Sequence, residues 1–421
     1  MNPVTLAEWL QWLELQHPSE IELGLERIRV VALRLGVLQP KATVVTVAGT
    51  NGKGSFVASL AAILRAHGKR VACYTSPHLF HFHERIDLDG TPPHDEALVA
   101  AFGAVESCRE GVPLTYFEFT TLAALHLFRQ QPFDLLILEV GLGGRLDAVN
   151  ILTPDWAVIT SIGLDHQEYL GDTREAIAFE KCGILRPDTP LVCAESDPPS
   201  RLQEAINTHP ALWIGRDFSF DKEGDGWCCQ ISSAPEELAN LRDNGLSIPS
   251  QAAAIALATR LLRGGGSAGR VADAINRCAL PGRFQRTSRR GVTIILDVAH
   301  NAQAAGMLRG RLLHLPMQAG AKRLAVFSLL RDKDAGSVIA ELQGVFPQWH
   351  VGRIAHHRAA GTDDLVDSLH RAGEHIRSVS DTVQSALQLA MEAANPGDVI
   401  VIFGSFHVVA ECLTTLGESK A

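Results

Sequence analysis

Short apolar runs rich in β-branched residues alternate, in the first part of the chain, with longer segments of helical periodicity. The runs predict strands buried on both faces, at residues 43–47, 71–74, 135–140, 156–160 and 191–194. The intervening periodic segments predict helices at residues 56–66, 117–129 and 173–184. This alternation is typical of a doubly wound, mostly parallel α/β sheet.

A polar, glycine-containing region at residues 217–226 interrupts this pattern. The short run at residues 227–232 then predicts a small antiparallel hairpin on the main sheet. Two Ala-rich helices are predicted at residues 251–262 and 270–278, before the segment Leu280-Pro281-Gly282-Arg283. Because Pro and Gly end helices and permit sharp turns, we place a domain boundary here, between residues 1–281 and 282–421.

The strand and helix pattern restarts after this boundary. Strands are predicted at residues 292–297, 323–327 and 399–403, with helices at 302–313 and near 335–345. The chain has 421 residues, whereas a single hydrophobic core usually stops growing at roughly 250 to 300. We therefore expect a second, smaller α/β domain.

Composition and charge narrow the possible functions. Hydrophobic residues make up 46% of the chain and charged residues 20%, as in ordinary globular proteins. The formal net charge of -9 argues against nucleic acid as a partner, so any anionic ligand needs a specific site. The longest apolar runs are far shorter than the roughly 20 residues that span a bilayer, and no secretory signal is recognisable. The eight cysteines are scattered without a CxxC pair, which indicates reduced thiols and a cytoplasmic protein.

A glycine-rich turn follows the first predicted strand and opens a helix, in the run Gly49-Thr50-Asn51-Gly52-Lys53-Gly54-Ser55. In such a loop backbone N–H groups bind phosphates, a lysine such as Lys53 reaches the β and γ oxygens, and a hydroxyl such as that of Ser55 binds Mg²⁺. The match to GxxxxGK[ST] is imperfect, because Val47 replaces the first glycine and Gly54 separates Lys53 from Ser55. The alternative is a glycine-rich turn with an incidental lysine, and the flanking strand and helix favour the phosphate loop.

Three polar residues follow predicted strands and should meet at one edge of the sheet. Glu139 closes a buried run, Ser76 follows the strand at 71–74, and His166 follows the strand at 156–160. Carboxyl ends of parallel strands bind ligands, and two oxygen donors with one imidazole suit Mg²⁺. Taken singly, Glu139 could cap a helix, His166 could be an ordinary satisfied histidine, and Ser76 carries almost no signal. Lys181, within a predicted helix, reads by itself as a solvated lysine.

Seven segments together resemble the Mur ligase superfamily, and specifically the folylpolyglutamate synthases. They occur in the family's order across both predicted domains. The segments are Gly49–Ser55 as written above, Ser76-Pro77-His78-Leu79, Glu139-Val140-Gly141-Leu142-Gly143-Gly144-Arg145-Leu146-Asp147, Asp165-His166, Glu180-Lys181-Cys182-Gly183-Ile184, Pro281-Gly282-Arg283-Phe284-Gln285 and Asp297-Val298-Ala299-His300-Asn301.

The resemblance implies a Mur ligase-like fold, with a P-loop-containing doubly wound sheet, a small antiparallel addition and a second, Rossmann-like domain. It implies an ATP-dependent ligase that adds L-glutamate to dihydropteroate and to reduced folates through an acyl phosphate. The implied cofactors are ATP and Mg²⁺ at two sites, with K⁺ as a further candidate. The implied protein is a monomer whose partners are small molecules, with no nucleic acid and no membrane.

The resemblance also implies residue roles. It gives Lys181, His166 and Arg283 catalytic roles, although Arg283 could instead form a salt bridge at the hinge. The implied metal ligands are Ser55, Ser76, Glu139, His166 and Lys181 as its carbamate. The implied ATP contacts are Thr50, Asn51, Gly52, Lys53, Gly54, Ser55, Gln251, Arg283, Asp297 and His300. Gln251 departs from the family pattern, because many relatives place an asparagine there.

Three further segments resemble pterin-binding positions of bifunctional bacterial relatives. The implied residues are Glu22, Leu23, Gly24, Leu25, Thr115, Tyr116, Phe117, Glu118, Leu146, Asp147 and Ala148. An aromatic ring such as Phe117 can stack on a flat heterocycle, and a carboxylate such as Glu118 can pair with its amidine-like edge. The alternative is a helix start that packs Phe117 and Phe119 into the core.

Two other functions compete with this interpretation. A Mur-type ligase acting on a UDP-linked muramyl peptide is disfavoured by the pterin-like segments and by the lack of an obvious additional UDP-binding domain. A P-loop GTPase or a non-catalytic nucleotide-binding regulator is disfavoured because no NKxD-like motif follows the loop and because Glu139 and His166 would have no role.

Overall fold

The computed structural model describes residues 3–16, 22–224, 226–233 and 237–418. Two compact units divide the chain. Unit 1 comprises Met1–Ile162 and Leu170–Cys278, and unit 2 comprises Gly163–Tyr169 and Ala279–Ala421. The segment Gly163–Tyr169 therefore groups with unit 2, although the residues before and after it in sequence belong to unit 1. The boundary expected after residue 281 stays a prediction.

A seven-stranded sheet forms the centre of unit 1. Its strands are β1 Thr43–Ala48, β2 Val71–Tyr74, β3 Ile86–Leu88, β4 Leu135–Glu139, β5 Trp156–Ile159, β6 Leu191–Cys193 and β7 Ala211–Trp213. Their order is β3-β2-β4-β1-β5-β6-β7, and every pairing is parallel except that of β2 with β3. The predicted parallel sheet is confirmed, with β3 and β7 added at its edges.

Helices cover both faces of this sheet. They are α1 Leu6–Gln16, α2 Glu26–Leu35, α3 Lys53–Ala66, α4 Asp95–Arg109, α5 Tyr116–Arg129, α7 Arg174–Cys182, α8 Ser200–Thr208, α9 Ile248–Leu261 and α10 Ala268–Arg277. The short helix α6 Gln167–Leu170 lies mostly in the segment that groups with unit 2. Along β1, Val44 and Ala48 belong to one hydrophobic cluster, whereas Val45 and Val47 belong to another. Because its two faces pack against different clusters, β1 is buried along nearly its whole length, as parallel strands usually are.

The predicted hairpin is a separate three-stranded antiparallel sheet rather than part of the main sheet. It consists of β8 Phe218–Glu223, β9 Gly226–Ile231 and β10 Leu238–Arg242, in the order β10-β9-β8. Buried residues of β9, including Trp227 and Cys229, pack into the cluster that also contains the α9 helix. The small sheet therefore extends the core on that face.

Unit 2 has a six-stranded sheet of its own. Its strands are β11 Gln285–Arg289, β12 Val292–Asp297, β13 Arg323–Phe327, β14 Gln348–Gly352, β15 Ile376–Ser380 and β16 Val399–Phe403, and its helices are α11 Ala302–His314, α12 Ala335–Glu341, α13 Thr362–Arg371, α14 Val383–Ala393 and α15 Phe406–Thr415. The order is β11-β12-β16-β13-β14-β15, and only the β11–β12 pairing is antiparallel. The expected second α/β domain is confirmed, although the sequence patterns did not predict β11, β14 and β15.

None of the described helices combines the length and the apolar character needed to cross a membrane. The eight cysteines are all free, and seven of them are buried. Burial raises the pKa of the Cys73 and Cys193 thiols to about 12, so these side chains stay protonated at neutral pH.

Candidate active site

The turn after β1 has the backbone geometry of a phosphate-binding loop. Gly49 and Gly52 have φ angles of 153° and 87°. A Cβ atom on Gly49 would lie 1.9 Å from the Oγ1 atom of Thr160, and one on Gly52 would lie 2.3 Å from the Oγ atom of Ser250. Both positions therefore require glycine. The helix α3 starts at Lys53 directly after this turn, so its first N–H groups are available to an anion.

The end of β5 fixes the shape of the loop. The backbone N–H of Thr50 donates to the carbonyl of Ser161 at 2.9 Å, and that of Asn51 donates to the Ser161 hydroxyl at 2.9 Å. The Thr160 hydroxyl donates to the Asn51 carbonyl at 2.7 Å. The loop is thus held in place by a neighbouring strand of the same sheet.

Lys53 lies over the loop that precedes it. Its Nζ atom donates to the carbonyl oxygens of Gly49 at 2.9 Å and of Thr50 at 3.3 Å. Gly54 and Ser55 follow in the first turn of α3. The ammonium group is therefore placed where a phosphate bound to the loop would need a positive charge.

The start of α9 contacts the phosphate loop and contributes a buried amide. The Ser55 hydroxyl accepts a hydrogen bond from the Ser247 N–H at 3.2 Å, and the Ser250 hydroxyl donates to that of Ser247 at 3.0 Å. Gln251, in the next position, is 0% exposed, and neither amide atom has a hydrogen-bond partner within the described residues. Since buried polar groups are nearly always paired in complete structures, this amide has the character of a ligand contact.

Ser76 and Glu139 lie at the carboxyl ends of adjacent strands. Glu139 is buried, and it pairs in register with Val47 of β1, just before the phosphate loop. Its Oε2 atom accepts a hydrogen bond from the Ser76 N–H at 3.3 Å. The structure thus brings together the loop, Glu139 and Ser76, whereas His166, which the sequence also predicted at this edge, belongs to unit 2.

Lys181 is buried, with an exposed fraction of 4%. It lies near the end of α7, where Gly144 approaches so closely that an added Cβ would stand 3.0 Å from the Lys181 carbonyl. The reading of Lys181 as a solvated lysine, based on the residue alone, is therefore wrong.

Phe117 closes over the loop that follows Glu139. A Cβ atom on Gly141 would lie 2.7 Å from the Phe117 Cζ atom, and the Tyr74 and Phe117 rings are 5.8 Å apart between centroids. Phe117 is only partly buried, whereas Phe119 is in the core. The alternative that this helix start packs its aromatic rings into the core therefore holds for Phe119. The ring of Phe117 stays partly accessible.

Glu118 uses both carboxylate oxygens within the protein. Oε2 accepts hydrogen bonds from the backbone N–H and the hydroxyl of Thr115, at 2.8 and 2.9 Å, as part of a capping box. Oε1 pairs with Arg27 at 3.1 Å. The predicted pterin contact of Glu118 has no support from this geometry, because the carboxylate already caps a helix and balances a guanidinium.

Arg27, which the sequence analysis missed, links two of the predicted pterin segments. Besides Glu118 it pairs with Glu22, in the segment Glu22, Leu23, Gly24 and Leu25 that leads into α2. The partner of Glu118 lies 91 residues away in sequence, and no local pattern marks it. Tyr116, the neighbour of Phe117, is covered by the Arg85 guanidinium at 5.5 Å from its ring centroid.

Asp147 is a buried carboxylate beside the same loop. It accepts hydrogen bonds from the N–H groups of Leu142 at 2.9 Å and Val149 at 3.1 Å. Burial raises the pKa of Asp147 to about 6, although these hydrogen bonds and the charge of Lys53 act in the opposite direction. Leu146 and Ala148 flank it, and Ala148 begins a short 3-10 turn, Ala148–Ile151.

In unit 2, Asp165 is the centre of a buried polar network. Its carboxylate contacts Lys333 Nζ at 2.6 Å, Asn301 Nδ2 at 2.9 Å and His300 Nε2 at 3.3 Å. Burial raises the pKa of Asp165, but the hydrogen bond from His300 and the nearby positive charges lower it by more, so the group stays ionised. His166 follows with a φ of 50°, and its Nε2 atom lies 3.5 Å from Lys333 Nζ.

Arg283 and Asp297 lie close to each other in unit 2. The Asp297 carboxylate accepts hydrogen bonds from the Phe284 and Ala299 N–H groups, each at 2.9 Å. Burial raises the pKa of Asp297, and the charges of Arg283 and Arg311 partly offset that rise. The Arg283 guanidinium lies 5.1 Å from the centroid of the Phe406 ring.

The predicted magnesium ligands divide between the units, with Ser55, Ser76, Glu139 and Lys181 in unit 1 and His166 in unit 2. Among the described residues no three His, Cys, Asp or Glu side chains form a cluster that could hold a metal by themselves. The unit 1 donors fit Mg²⁺ nevertheless, because a buried carboxylate and serine hydroxyls beside a phosphate loop are hard oxygen ligands.

Comparisons with known proteins agree with this geometry. Residues 47–223 match the Mur ligase middle domain, and residues 282–406 match the family described as Mur ligase, glutamate ligase domain. A relative from Haemophilus influenzae, named dihydrofolate synthase/folylpolyglutamate synthase, is 41% identical over 96% of each chain.

Two solved structures resemble the whole chain. Escherichia coli FolC in complex with DHPP and ADP has a TM-score of 0.91 and 39% identity, over 98% of each chain. A bifunctional folylpolyglutamate synthase/dihydrofolate synthase with Mn, AMPPNP and L-glutamate bound has a TM-score of 0.87 and 37% identity, over 98% of each chain. The chain belongs to the dihydrofolate synthase/folylpolyglutamate synthase family of Mur-type ligases.

Proposed function

We propose that this protein is an ATP-dependent ligase that joins L-glutamate to dihydropteroate, giving dihydrofolate, and to the terminal glutamate of reduced folates, giving folylpolyglutamates. The observation that carries the proposal is the shared sheet edge of β2, β4 and β1, where Ser76, the buried Glu139 and the phosphate loop meet. The names of the relatives and the DHPP, nucleotide and glutamate bound in similar structures support it.

The phosphate groups of ATP are assigned to residues Thr50 to Ser55. The loop N–H groups and the start of α3 offer donors to the phosphate oxygens, and Lys53 supplies a positive charge. The Gln251 amide, buried without a partner in the described structure, is assigned to the nucleotide base. Arg283, Asp297 and His300 of unit 2 are further proposed nucleotide contacts.

Magnesium is assigned to Ser55, Ser76, Glu139, His166 and Lys181 as its carbamate. Bound Mg²⁺ would neutralise charge on the phosphate oxygens. The burial of Lys181 supports its modification, since a carbamate turns a buried cation into an oxygen ligand. The second magnesium site and the potassium site rest on the family resemblance.

The proposed reaction has two steps. A carboxylate oxygen of dihydropteroate or of a folate attacks the γ-phosphorus of ATP, and ADP leaves, so that an acyl phosphate forms. The glutamate amine then attacks the acyl carbon, loses a proton, and expels phosphate as the amide forms. Lys53, Arg283 and the loop N–H groups balance the negative charge that develops on the transferred phosphoryl group. Holding both reactants in place supplies much of the remaining acceleration.

The pterin is assigned to the surface around Phe117. The accessible Phe117 ring above Gly141 offers a stacking face, and Asp147 lies next to this loop with a raised pKa that leaves it able to donate or accept near neutral pH. Glu118 and Arg27 hold the surrounding segments together. A monomeric state, a cytoplasmic location and the absence of a nucleic-acid partner stay predictions.

Phosphate release tests the proposal. The purified protein is supplied with ATP, Mg²⁺ and L-glutamate, and dihydropteroate is compared with tetrahydrofolate as the acceptor. Turnover of both acceptors is expected. Turnover of tetrahydrofolate alone would leave only the polyglutamate synthase activity and contradict dihydropteroate as an acceptor. Absence of phosphate release with either acceptor would contradict the proposal and favour a Mur-type ligase acting on a muramyl peptide.

A further inference from the structure

The loop that follows Glu139 is fastened to the last turn of α7, which carries Lys181. We call the fastening residues the clasp: Gly144, Arg145, Asn150, Gly183 and Arg186. All of them belong to unit 1. Neither the metal ligands nor the substrate contacts proposed above include any of them.

Backbone contacts form the first layer of the clasp. The Arg145 N–H donates to the Glu180 carbonyl at 2.8 Å. A Cβ atom on Gly144 would lie 2.8 Å from the same carbonyl, and one on Gly183 would lie 2.3 Å from the Cβ of Arg145. The loop and the helix end therefore touch backbone to backbone, which requires glycine at both contact points.

Asn150 forms the second layer. Its buried Nδ2 group donates to the Arg145 carbonyl at 2.9 Å and to the Gly183 carbonyl at 3.1 Å. Its Oδ1 atom accepts from Arg186 at 2.9 Å, and Arg186 also donates to the carbonyl of Gly183 at 3.3 Å. One side chain thus joins the loop to the end of α7, and a guanidinium holds that side chain in place.

A surface ion pair forms the third layer. The Arg145 guanidinium contacts the Glu180 carboxylate at 2.9 and 3.2 Å, in a forked geometry that a lysine cannot reproduce. Glu180 directly precedes Lys181. Two guanidinium groups lie over the Phe179 ring, those of Arg145 at 5.5 Å and Arg201 at 6.0 Å from its centroid.

We propose that Arg145 is a positioning residue for Lys181. Through Glu180 it holds the last turn of α7 against the loop that begins at Glu139, so that the carbamate of Lys181 and the Glu139 carboxylate keep a fixed spacing. Metal ligands must be held to within about 0.5 Å, and loss of the groups that orient them typically costs 10- to 100-fold in metal affinity or activity. The proposal rests on the proposed function, because it takes Lys181 to be carbamylated.

The test compares Arg145→Gln with Arg145→Lys and with a matched control, Arg201→Gln. Arg201 lies over the same Phe179 ring and is similarly exposed, but its carboxylate partner is Glu204 of its own helix. The carbamate is observed directly, as its carbonyl ¹³C resonance after equilibration with ¹³C-bicarbonate, and Mn²⁺ affinity is measured by electron paramagnetic resonance. Circular dichroism verifies that each variant is folded.

Arg145→Gln is expected to weaken the carbamate resonance and Mn²⁺ binding by about 10-fold, with excess bicarbonate restoring part of both. Arg145→Lys should lie between Arg145→Gln and the wild type, and Arg201→Gln should match the wild type. Wild-type resonance and Mn²⁺ affinity in a folded Arg145→Gln variant would overturn the positioning role while leaving the carbamate in place. Absence of the resonance in the wild-type protein would instead overturn the carbamate itself, and the positioning role with it.

Discussion

Units 1 and 2 share one architecture but form their functional edges differently. In unit 1 the edge depends on a local backbone conformation, since Gly49 and Gly52 adopt positive φ angles and α3 begins immediately afterwards. In unit 2 the edge is formed by side chains that come together from distant parts of the sequence. Lys333 lies 168 residues from Asp165, and Asn301 lies 136 residues from it.

This difference decides what can be read from a sequence. A phosphate loop needs glycines, a lysine and a helix start within a few residues, so its chemistry is visible as a motif. Asp165, His300 and Asn301 stand in segments that resemble the family, but their pairing with one another and with Lys333 depends on the fold and leaves no motif in the sequence. Function in unit 1 should therefore be sensitive to the loop, and stability in unit 2 should be sensitive to the network.

Lys53→Ala, in the phosphate loop of unit 1, should have the largest effect, and it should act on catalysis. Loss of one preorganised charge from phosphoryl transfer typically costs about 10² to 10³-fold in rate, and we expect that fall in kcat/KM for glutamate-dependent phosphate release. The control is Lys69→Ala, which removes a half-exposed lysine that pairs with Asp134. Equal activity of Lys53→Ala and wild type would show that the loop lysine does not act on phosphate.

Lys333→Met should have the largest effect on the stability of unit 2. The change leaves the buried Asp165 carboxylate without its closest positive partner, and breaking such a pair costs about 3 kcal/mol or more. Urea unfolding, followed by hydrogen exchange in peptides of unit 2, measures the loss. Lys322→Met, at an exposed position, is the control. A loss below about 0.5 kcal/mol would contradict the structural role of the network.

His350 should make unit 2 less stable as the pH falls. Burial, assisted by the charge of Arg377, lowers the pKa of His350 from 6.5 to about 4. The unfolded chain therefore binds a proton first, so the contribution of the neutral histidine is complete above about pH 6.5 and is lost as the pH falls towards 4. We expect a loss of about 2 kcal/mol over this window relative to His350→Asn.

The pH experiment has an internal control. Burial and the charge of His356 lower the pKa of His407 to about 4 as well, so His407 contributes a slope that His350→Asn leaves unchanged. The comparison is made by urea unfolding between pH 7 and 4, with hydrogen exchange of β14 as the local probe. Identical pH profiles of wild type and His350→Asn would show that His350 is not held neutral.

Gln251→Leu should have the smallest effect of the four substitutions. The direction in which it shifts the thermal midpoint is informative. Removing an unsatisfied amide in favour of an apolar side chain of similar size should leave the thermal midpoint unchanged or raise it. Loss of the proposed base contact should raise the KM for ATP by about 10-fold, which corresponds to one or two hydrogen bonds. Gln251→Asn, with the same amide on a shorter side chain, should lie between. A lower thermal midpoint with an unchanged KM would assign Gln251 to the core.

Much of the fold could be predicted because its strands are apolar and bounded by turns. The strands at 71–74, 292–297, 323–327 and 399–403 have the bounds expected from the sequence. The strand β14 was missed because the polar residues Gln348 and His350 break the apolar pattern on either side of Trp349, although His350 is buried. An imidazole inside a sheet becomes recognisable only when its partner Ser378 is placed beside it at 2.8 Å.

The candidate site could be predicted where the chemistry is local. The loop, Glu139 and Ser76 lie together because adjacent parallel strands end at one edge. The burial of Lys181 could not be read from its helix, whose last turn packs through its backbone against the loop at Gly144, distant in sequence. Glu118 is predicted as a pterin ligand because a carboxylate beside an aromatic ring suits a pterin, and its capping box with Thr115 is equally visible in the sequence.

Transfer of oxygen is the most direct test of the proposed ligase chemistry. Dihydropteroate labelled with ¹⁸O in its carboxylate is incubated with the protein, ATP, Mg²⁺ and L-glutamate, and the released phosphate is analysed by mass spectrometry. An acyl-phosphate mechanism predicts that one labelled oxygen appears in phosphate for each amide formed. Amide formation with unlabelled phosphate would contradict activation of the carboxylate by ATP, and phosphate release without amide would contradict the ligase itself.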